Sequence, residues 1–360
     1  MTRIEIAIIP GDGIGLEIME CCTNVLDALQ DRYSDFQLSY NKIEAGAQYF
    51  KKTGFDISDQ SFVELRRADA ILLGAIRLPS IRHNDGTEIA PHLRIRTELD
   101  LYAGLRPIKF YPNIPITLAD PRTKNIDIII VRESTEGLFA SLGKSVIEND
   151  KVARETMEIT RNVCERLFDA TFVLARKRKG QGGKGLVTCV DKANVFPAMA
   201  FFRKIFNERA KLNPDITVNY RYVDAAALEL VKCPWDFDVM VMENMFGDIL
   251  SDLGAGIIGS MGFAPCGEIG DMHGLFQPAH GSAPDIAGQN KANPIAMFVS
   301  AGMMLDWLGE KKKIIGCSLA AADLVNTIEK LFLERKILPF EVGGNDSTTG
   351  ISEKIIQCLK

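Results

Sequence analysis

Short apolar runs alternate along this chain with segments of helical spacing, and no other feature constrains its fold as strongly. Five runs are strand-sized and rich in β-branched residues, as expected for strands buried on both faces. They are residues 4–9, 70–76, 126–131, 185–190 and 237–242. Segments with helical periodicity lie between them, at residues 16–29, 61–67, 154–167, 198–209, 224–231 and 249–258. Strands that alternate with helices predict an α/β fold with a largely parallel sheet.

The pattern changes after Gly262. A Gly/Pro-rich stretch without periodicity runs to Pro294, and three helical segments follow it, at residues 295–308, 318–333 and 352–359. A loop of that length is usually functional. Because no repeat or linker marks a boundary, a second domain would have to form where the chain leaves one unit and later returns to it.

Composition and charge exclude several classes of function. Hydrophobic residues make up 46% of the 360 residues, which is enough to bury a large core. The net charge of -5 gives no overall attraction for nucleic acid, and the one basic run, residues 176–184, is predicted to be a solvated turn. No apolar run approaches the roughly 18 residues of a membrane span, and the N-terminus has no signal-peptide core. We therefore expect a cytoplasmic protein without a nucleic-acid or membrane partner.

The eight cysteines are scattered and include no C-x-x-C pair, so neither a zinc site nor a disulfide framework is indicated. Gly11, Gly13 and Gly15 follow the first predicted strand and open the first helix. Such a turn lets a ligand approach backbone N–H groups. The spacing G-x-G-x-G differs from the dinucleotide fingerprint G-x-G-x-x-G, so an ordinary tight turn stays an alternative to a dinucleotide site.

Arginines are concentrated before and at the end of predicted strands. Arg94, Arg96 and Arg106 lie close together in sequence, and Arg132 follows the run 126–131. An arginine at the carboxyl end of a buried parallel strand lies where α/β sheets bind ligands, and its planar fork suits a carboxylate. A surface ion pair would explain any single one of them, but the four together predict an anion site.

Two aspartates open a predicted helix. Asp248 and Asp252 are four residues apart, so their carboxylates share one helical face and repel each other unless a cation lies between them. Capping of the helix N-terminus is the alternative. Asp224, which opens another helical segment, could supply a third oxygen ligand. Oxygen ligands without a thiol or an imidazole favour Mg²⁺ or Mn²⁺ over zinc.

Two segments, at residues 244–252 (NMFGDILSD) and 280–285 (HGSAPD), resemble signature blocks of the β-decarboxylating dehydrogenases in the right order. This family comprises isocitrate, 3-isopropylmalate, homoisocitrate, tartrate and D-malate dehydrogenases, and the resemblance runs from Pro10 to Gly344. It implies a two-domain α/β/α isopropylmalate-dehydrogenase-like fold without a standard Rossmann unit. Residues 1–101 and 255–360 would form the cofactor-binding domain. Residues 102–254 would form a central domain with the metal site and the interface of a homodimer.

The resemblance also implies roles for individual residues. The arginines that bind malate-type carboxylates are matched by Arg96, Arg106 and Arg132. The metal ligands are matched by Asp248 and Asp252, together with Asp224 of the partner subunit. Lys192 of the partner subunit matches the lysine that assists removal of the hydroxyl proton. The cofactor-binding residues would be Ile14, Asn194, His280, Gly281, Ser282, Ala283, Asp285 and Asn293. A carboxylate at Asp285 can accept from ribose hydroxyls and repels a 2′-phosphate, which favours NAD over NADP.

Two departures from the family pattern bear on the chemistry. The catalytic tyrosine that protonates the enolate falls at Phe139, and the usual acid of the cofactor loop is replaced by Gln277. Hydride transfer is therefore better supported than decarboxylation, and a catalytically weakened regulatory subunit is a rival interpretation.

The sequence predicts NAD-dependent and metal-dependent oxidation, with decarboxylation, of a substituted malate-type 2-hydroxy acid. Residues 89–94 offer a more polar pocket than isopropylmalate enzymes have, and they lack the Ser and Asn of isocitrate enzymes. Substrates of the 3-isopropylmalate, tartrate or D-malate type thus stay open, with isocitrate or homoisocitrate as the alternative.

Overall fold

The computed structural model describes residues 1–359, which form one ten-stranded mixed sheet flanked by helices, and a separate two-stranded hairpin. The strands of the large sheet are β1 Thr2–Gly11, β2 Phe36–Lys42, β3 Ala70–Ala75, β4 Ala103–Lys109, β5 Asp127–Glu133, β8 Leu186–Asp191, β9 Thr217–Tyr222, β10 Val239–Met242, β11 Pro265–Ile269 and β12 Gly274–Pro278. The hairpin pairs β6 Val146–Glu148 with β7 Val152–Arg154. The helices are α1 Gly15–Gln30, α2 Ala47–Thr53, α3 Asp59–Arg67, α4 Pro91–Glu98, α5 Arg161–Gly180, α6 Pro197–Lys211, α7 Val223–Lys232, α8 Asn244–Ile257, α9 Ile295–Lys312, α10 Ile315–Leu333 and α11 Thr348–Leu359.

The sheet consists of two parallel halves that run in opposite directions. Its strand order is β2-β1-β3-β12-β11-β4-β5-β10-β8-β9. The pairings among β2, β1, β3 and β12 are parallel, and so are those among β5, β10, β8 and β9. Antiparallel pairings join β12 to β11, β11 to β4 and β4 to β5. Strands from the two ends of the chain therefore form one half, and strands from its middle form the other.

Alternation along the strands explains why both faces of the sheet are covered by helices. In β10, Val239 and Val241 pack with the core under α5 and α6, whereas Met240 and Met242 belong to the core on the opposite face. Near-continuous apolar runs of this kind are typical of parallel strands buried on both faces. In the first half of the sheet, α1, α9, α10 and α11 share one core, and α3 and α4 cover the other face.

The predicted α/β class and all five predicted strands are confirmed, but three local expectations are wrong. The stretch after Gly262 contains β11 and β12, which lie in the middle of the sheet. These five-residue strands are rich in Gly and Pro, and antiparallel pairing lets a short hairpin satisfy its backbone groups without periodicity. The helix predicted at residues 154–167 begins only at Arg161. Thr160 caps it, and the residues before it form the hairpin and an irregular segment.

The basic run is not a free solvated turn. Its first residues form the end of α5, where cations favour the helix C-terminus. Arg178 is largely buried, and its Nε donates to the buried carboxylate of Asp238 at 2.7 Å. Within residues 1–359, no helix is long and apolar enough to cross a membrane.

Candidate active site

A cleft of about 140 Å³ collects most of the predicted substrate and metal residues. Its walls come from the end of β3 and the residues after it, α4, β4, β5, α8 and the segment that follows β12. The lining residues are Gly74, Ile76, Arg77, His92, Leu93, Arg96, Arg106, Arg132, Phe139, Asp248, Asp252, Gln277, Pro278, Ala279, His280 and Gly281. The chain thus places four arginines, the aspartate pair and both residues that depart from the family pattern around one cavity. Of the four predicted arginines, Arg94 lies outside it and pairs with Glu98 and Asp59.

Arg132 lies at the end of β5, as the sequence predicted, and α8 holds it in place. Its Nε and Nη2 donate to Oδ1 of Asn244 at 3.0 and 2.7 Å, and Nη1 donates to Asp248. The ring of Phe139 lies 5.1 Å from the guanidinium carbon. Burial and the positive charge of Arg96 lower the pKa of Arg132 to about 10, so its guanidinium stays charged at neutral pH. Asn244 is a positioning residue that the sequence analysis did not assign.

Gly247 makes this approach possible. A Cβ atom at Gly247 would lie 2.6 Å from Cβ and 2.7 Å from Cγ of Arg132. Only a residue without a side chain allows the first turn of α8 to pack over the stem of that arginine. This is the local reason for a glycine inside the helix that carries Asp248 and Asp252.

Arg96 and Arg106 converge on an acid that the sequence analysis missed. Glu268 of β11 is fully buried, and its Oε1 lies 2.8 Å from Nη2 of Arg96 and 3.0 Å from Nη2 of Arg106. Ser134 donates to Oε2 at 2.6 Å. Burial alone would raise the pKa of Glu268, but the positive charges of Arg96 and Arg106 outweigh it and lower the pKa to about 2. Glu268 is therefore a carboxylate at neutral pH.

His92 is a neutral member of the same wall. Burial and the positive charges of Arg96 and Arg77 lower the pKa of His92 well below its usual value. Its Nε2 lies 3.1 Å from Nη2 of Arg77, so Nε2 is the acceptor and the ring proton resides on Nδ1. The side of the cleft formed by α4 thus presents an uncharged ring beside Leu93 and Ile76.

Asp248 and Asp252 fit one side of a divalent-cation site. Both line the cleft, and burial together with repulsion from Asp248 raises the pKa of Asp252. A divalent cation would relieve this repulsion with the oxygen ligands that Mg²⁺ and Mn²⁺ prefer. Among residues 1–359 of a single chain, no group of three or more His, Cys, Asp and Glu side chains could hold a metal ion. The pair accordingly needs a ligand from outside this chain or from the substrate.

Lys192 and Asp224 lie outside the cleft and form a pair of their own. Nζ of Lys192 lies 2.5 Å from Oδ1 of Asp224, and this hydrogen bond lowers the pKa of the carboxyl. Asp224 begins α7, and Lys192 follows β8. Neither residue lines the cavity that holds Asp248 and Asp252. The chain thus presents two separate half-sites, one with two aspartates and one with a lysine–aspartate pair.

A second cavity of about 420 Å³ adjoins the cleft and shares His280 and Gly281 with it. Of the other predicted cofactor residues, Ile14, Ala283 and Asn293 line this cavity. Burial lowers the pKa of His280, so its imidazole is neutral. Glu341, which the sequence analysis did not assign, accepts a hydrogen bond from Nδ2 of Asn293 at 2.5 Å and adds a carboxylate to the wall.

Three predicted cofactor residues are placed differently. Ser282 is buried, and its hydroxyl donates to the carbonyl of Arg77, so it ties the loop to the end of β3. Asp285 is exposed and lies outside the residues that line the cavity. Asn194 is exposed in the loop after β8, near Lys192.

The glycine-rich turn serves packing between backbone segments. Gly11 and Gly13 have positive φ angles of 78° and 55°. A Cβ atom at Gly13 would lie 2.1 Å from the carbonyl oxygen of Ser282, and one at Gly15 would lie 2.2 Å from that of Pro10. The ordinary tight-turn interpretation therefore explains these glycines, while the neighbouring Ile14 reaches the cavity wall.

Comparison with known proteins supports one family throughout. The family model described as isocitrate/isopropylmalate dehydrogenase matches residues 5–355. A 3-isopropylmalate/3-methylmalate dehydrogenase of Methanocaldococcus jannaschii is 38% identical over 357 residues, which cover 99% of each chain. A 3-isopropylmalate dehydrogenase of Carboxydothermus hydrogenoformans is 41% identical over 310 residues, 84% of this chain and 81% of the relative. The crystal structure of isocitrate dehydrogenase from Methylococcus capsulatus superposes with a TM-score of 0.85 at 31% identity, and covers 99% of each chain.

Proposed function

This chain belongs to the isocitrate/isopropylmalate dehydrogenase family, whose members are decarboxylating dehydrogenases that act on CH–OH groups, and from this premise we propose how its own residues carry out that reaction. The predicted enzyme class and family are confirmed by this membership. We propose that the substrate is a substituted malate, that the hydride acceptor is NAD, and that each site is shared between two subunits.

The observation that carries the proposal is the convergence of Arg96, Arg106 and Arg132 beside the aspartates of α8. All three guanidinium groups are at least about nine-tenths buried, so little solvent screens their attraction for an anion. Arg96 and Arg106 each have a buried Nε–H that finds no hydrogen-bond partner among residues 1–359. A 2-hydroxy diacid would place its carboxylates against the guanidinium groups that line the cleft, and its hydroxyl would then face Asp248 and Asp252.

The proton of the 2-hydroxyl has to leave as the hydride is transferred. We propose that Lys192 of the partner subunit receives it, held in place by the hydrogen bond to Asp224 of the partner subunit. When bound, the metal lowers the pKa of the hydroxyl and NAD accepts the hydride. Asp248 and Asp252 would hold that metal together with Asp224 of the partner subunit.

A shared site requires a dimer, and the surface near the lysine–aspartate pair suits one. Helices α7 and α8 pack against each other, and they expose Leu228, Val231 and Ile249. Val195 and Phe196, which follow Lys192 closely, are more than half exposed. Large apolar side chains exposed together mark an interface. A twofold interface here would bring the half-site of Lys192 to the cleft of the other subunit.

The sheet order supports the proposed domain division. Strands from residues 1–101 and 255–360 are neighbours in one half of the sheet, and strands from residues 102–254 form the other half. We propose the first unit as the cofactor-binding domain because the cavity of about 420 Å³ is lined by residues of that unit. The cleft with the three arginines lies between the two units.

NAD is proposed over NADP because the loop at residues 280–293 carries Asp285 and the adjoining cavity wall carries Glu341, alongside a single basic residue, Lys291, in the same wall. Asp285 is the residue that the sequence predicts to accept from the ribose hydroxyls, and Glu341 contributes a carboxylate to the cavity wall. A 2′-phosphate dianion would meet both. We expect kcat/KM for NAD to exceed that for NADP by at least about tenfold.

The test is a spectrophotometric screen for NADH formation. Purified protein is supplied with Mn²⁺ or Mg²⁺ and with malate, tartrate, 3-methylmalate, 3-isopropylmalate, isocitrate and homoisocitrate in turn, each with NAD and with NADP. Metal-dependent NADH formation from at least one acid, abolished by EDTA, is expected. No turnover of any of the acids, or an equal rate in EDTA, would contradict the proposal.

A further inference from the structure

The proposed chemistry does not use the buried Glu268, which pairs with two of the arginines that line the cleft. Its carboxylate lies under the substrate arginines rather than beside the aspartates of α8. It is fully buried, whereas the side chains of Asp248 and Asp252 reach solvent. A buried charge is costly unless it is paired, so the fold must provide a complete setting for it.

The residues around Glu268 provide both the space for its carboxylate and the hydrogen-bond donors that pair with it. In the register of β11 against β4, Glu268 faces Gly104. A Cβ atom at Gly104 would lie 2.8 Å from Oε2 of Glu268 and 2.6 Å from Oγ of Ser134. The missing side chain at Gly104 thus leaves the space that the carboxylate and its hydroxyl donor occupy. Oε1 pairs with Nη2 of both Arg96 and Arg106, and Oε2 accepts a hydrogen bond from the hydroxyl of Ser134.

This arrangement changes the charge that a substrate encounters. Four arginines line the cleft. Nε of Arg77 lies 3.9 Å from the carboxylate of Glu88, which compensates its charge, and Glu268 compensates one of the three charges of Arg96, Arg106 and Arg132. Asp248 pairs with Arg132, and in the proposed function a divalent cation balances the charges of Asp248 and Asp252. Two positive charges are left for the substrate. Near them, His92, Leu93 and Ile76 form an uncharged part of the wall, and the guanidinium of Arg77 lies at its border, 3.1 Å from Nε2 of His92.

We infer that Glu268 is a specificity-determining residue that adjusts the cleft to a dianionic substrate, a malate with an uncharged substituent at C3, and against a tricarboxylate. The inference rests on the proposed function, because it assumes that the three arginines bind the malate carboxylates. Glu268 acts through Arg96 and Arg106, so it is a positioning residue and does not itself touch the reacting atoms. A third carboxylate on the substrate would meet the field of Glu268, and the remaining cation of the cleft, Arg77, is already shared with Glu88.

The test compares two substrates of almost the same shape and different charge. 3-Isobutylmalate carries CH₂CH(CH₃)₂ at C3, and isocitrate carries CH₂COO⁻ at the same position. One unit charge acting across several ångströms, at an effective dielectric constant of about 20, changes a binding constant by more than about tenfold. We expect the unmodified protein to prefer 3-isobutylmalate, and Glu268→Gln to shift the ratio of the two kcat/KM values toward isocitrate by at least about tenfold.

The ratio separates charge from damage to the fold, because a merely structural defect lowers both kcat/KM values together. Glu268→Asp keeps the charge and is expected to keep the original preference. Asp238→Asn is a matched control, since it removes another buried carboxylate that is paired with an arginine, at 2.7 Å, outside the cleft. It is expected to leave the ratio unchanged.

Calorimetric dissociation constants of the same two acids, measured with Mg²⁺ and without NAD, make the result independent of turnover. If the protein binds both acids but oxidises none of those screened, the proposed function is wrong and the binding ratio still tests the role of Glu268. An unmodified protein that binds isocitrate as tightly as 3-isobutylmalate overturns the inference even if Glu268→Gln does not fold. An unchanged ratio in a folded Glu268→Gln also overturns it.

Discussion

Single side chains decide whether the cleft can hold a cation. Asp252 shares a helical face with Asp248, and burial together with the charge of Asp248 raises the pKa of Asp252. The neighbouring Asp248 also receives a hydrogen bond from Arg132, so Asp252 is the cleaner probe.

We expect Asp252→Asn to lower metal-dependent kcat/KM by at least about 100-fold, because the loss of a direct ligand costs more than the loss of an outer-shell partner. Glu353→Gln on α11, an exposed acid far from the cleft, is the control and should behave as the unmodified protein. Steady-state rates over a Mn²⁺ titration, with melting temperatures to verify folding, provide the measurement. Full activity of Asp252→Asn at low Mn²⁺ would remove this residue from the metal site.

Phe139 bears on the last step of the reaction, the protonation of the decarboxylated product. Its ring lines the cleft and lies over the guanidinium of Arg132, so its position is that of a group facing the substrate. Unlike the tyrosine of the family pattern, phenylalanine cannot donate a proton to the product of decarboxylation. This departure is also what favoured the rival interpretation of a weakened regulatory subunit.

Phe139→Tyr is expected to increase the yield of CO₂ per NADH, because general acid catalysis typically contributes about 10² to 10⁴ in rate. The initial rates of CO₂ and NADH release on the best substrate are the measurement, and Phe139→Leu is the matched control without a hydroxyl. If the unmodified protein already releases one CO₂ per NADH at the same rate as Phe139→Tyr, another group supplies the proton.

At the scale of elements, the sequence predicted strands where apolar runs are long and failed where pairing alone defines the strand. β1, β3, β5, β8 and β10 are continuous apolar runs that periodicity reveals. β11 and β12 are five residues each and owe their place to their antiparallel neighbours, which a local pattern does not contain. For the same reason Glu268 looked like a loop residue, and its ion pairs with Arg96 and Arg106 could not be foreseen. The arginines and aspartates of the site were predictable because they belong to signature segments or end long strands.

Helix α8 allows a test of how backbone packing places the site. Gly247 and Gly256 lie in the same helix, but a Cβ atom would strike the stem of Arg132 at Gly247 and would meet nothing within 4 Å at Gly256. We expect Gly247→Ala to destabilise the protein by about 1–3 kcal/mol and to raise KM for the substrate, since Arg132 must move. Gly256→Ala should stabilise it by up to about 1 kcal/mol. Denaturant unfolding and substrate kinetics of both variants test this, and equal effects would contradict the role given to Gly247.

At the scale of the whole molecule, the two half-sites lie apart within one chain. The aspartates of α8 line the cleft, whereas Lys192 pairs with Asp224 outside it. In a twofold dimer with shared sites, each active centre would take one half-site from each subunit. Loss of function in one half-site could then be complemented by another chain.

Lys192→Ala and Asp252→Asn are each expected to be inactive alone, and subunits mixed by refolding together should regain roughly a quarter of the original activity, because half of the dimers are mixed and each restores one centre. The matched control mixes Lys192→Ala with Asp224→Asn, which affect the same half-site. That mixture should stay inactive. Recovery in the control, or none in the first mixture, would contradict a shared site.

The pairing of early strands with late strands also determines the order in which parts of the protein can fold during synthesis. β3 lies between β1 and β12, and Ser352 donates to the carbonyl of Cys21, 331 residues earlier. The central strands with α5 and α6 are instead contiguous in the chain and can close their core first. On a ribosome the opening strands thus wait, on the order of tens of seconds, with apolar faces uncovered until the last helix emerges. Because β1 and β3 are synthesised before α11 and complete their core only with it, they are the strands most exposed to aggregation during synthesis.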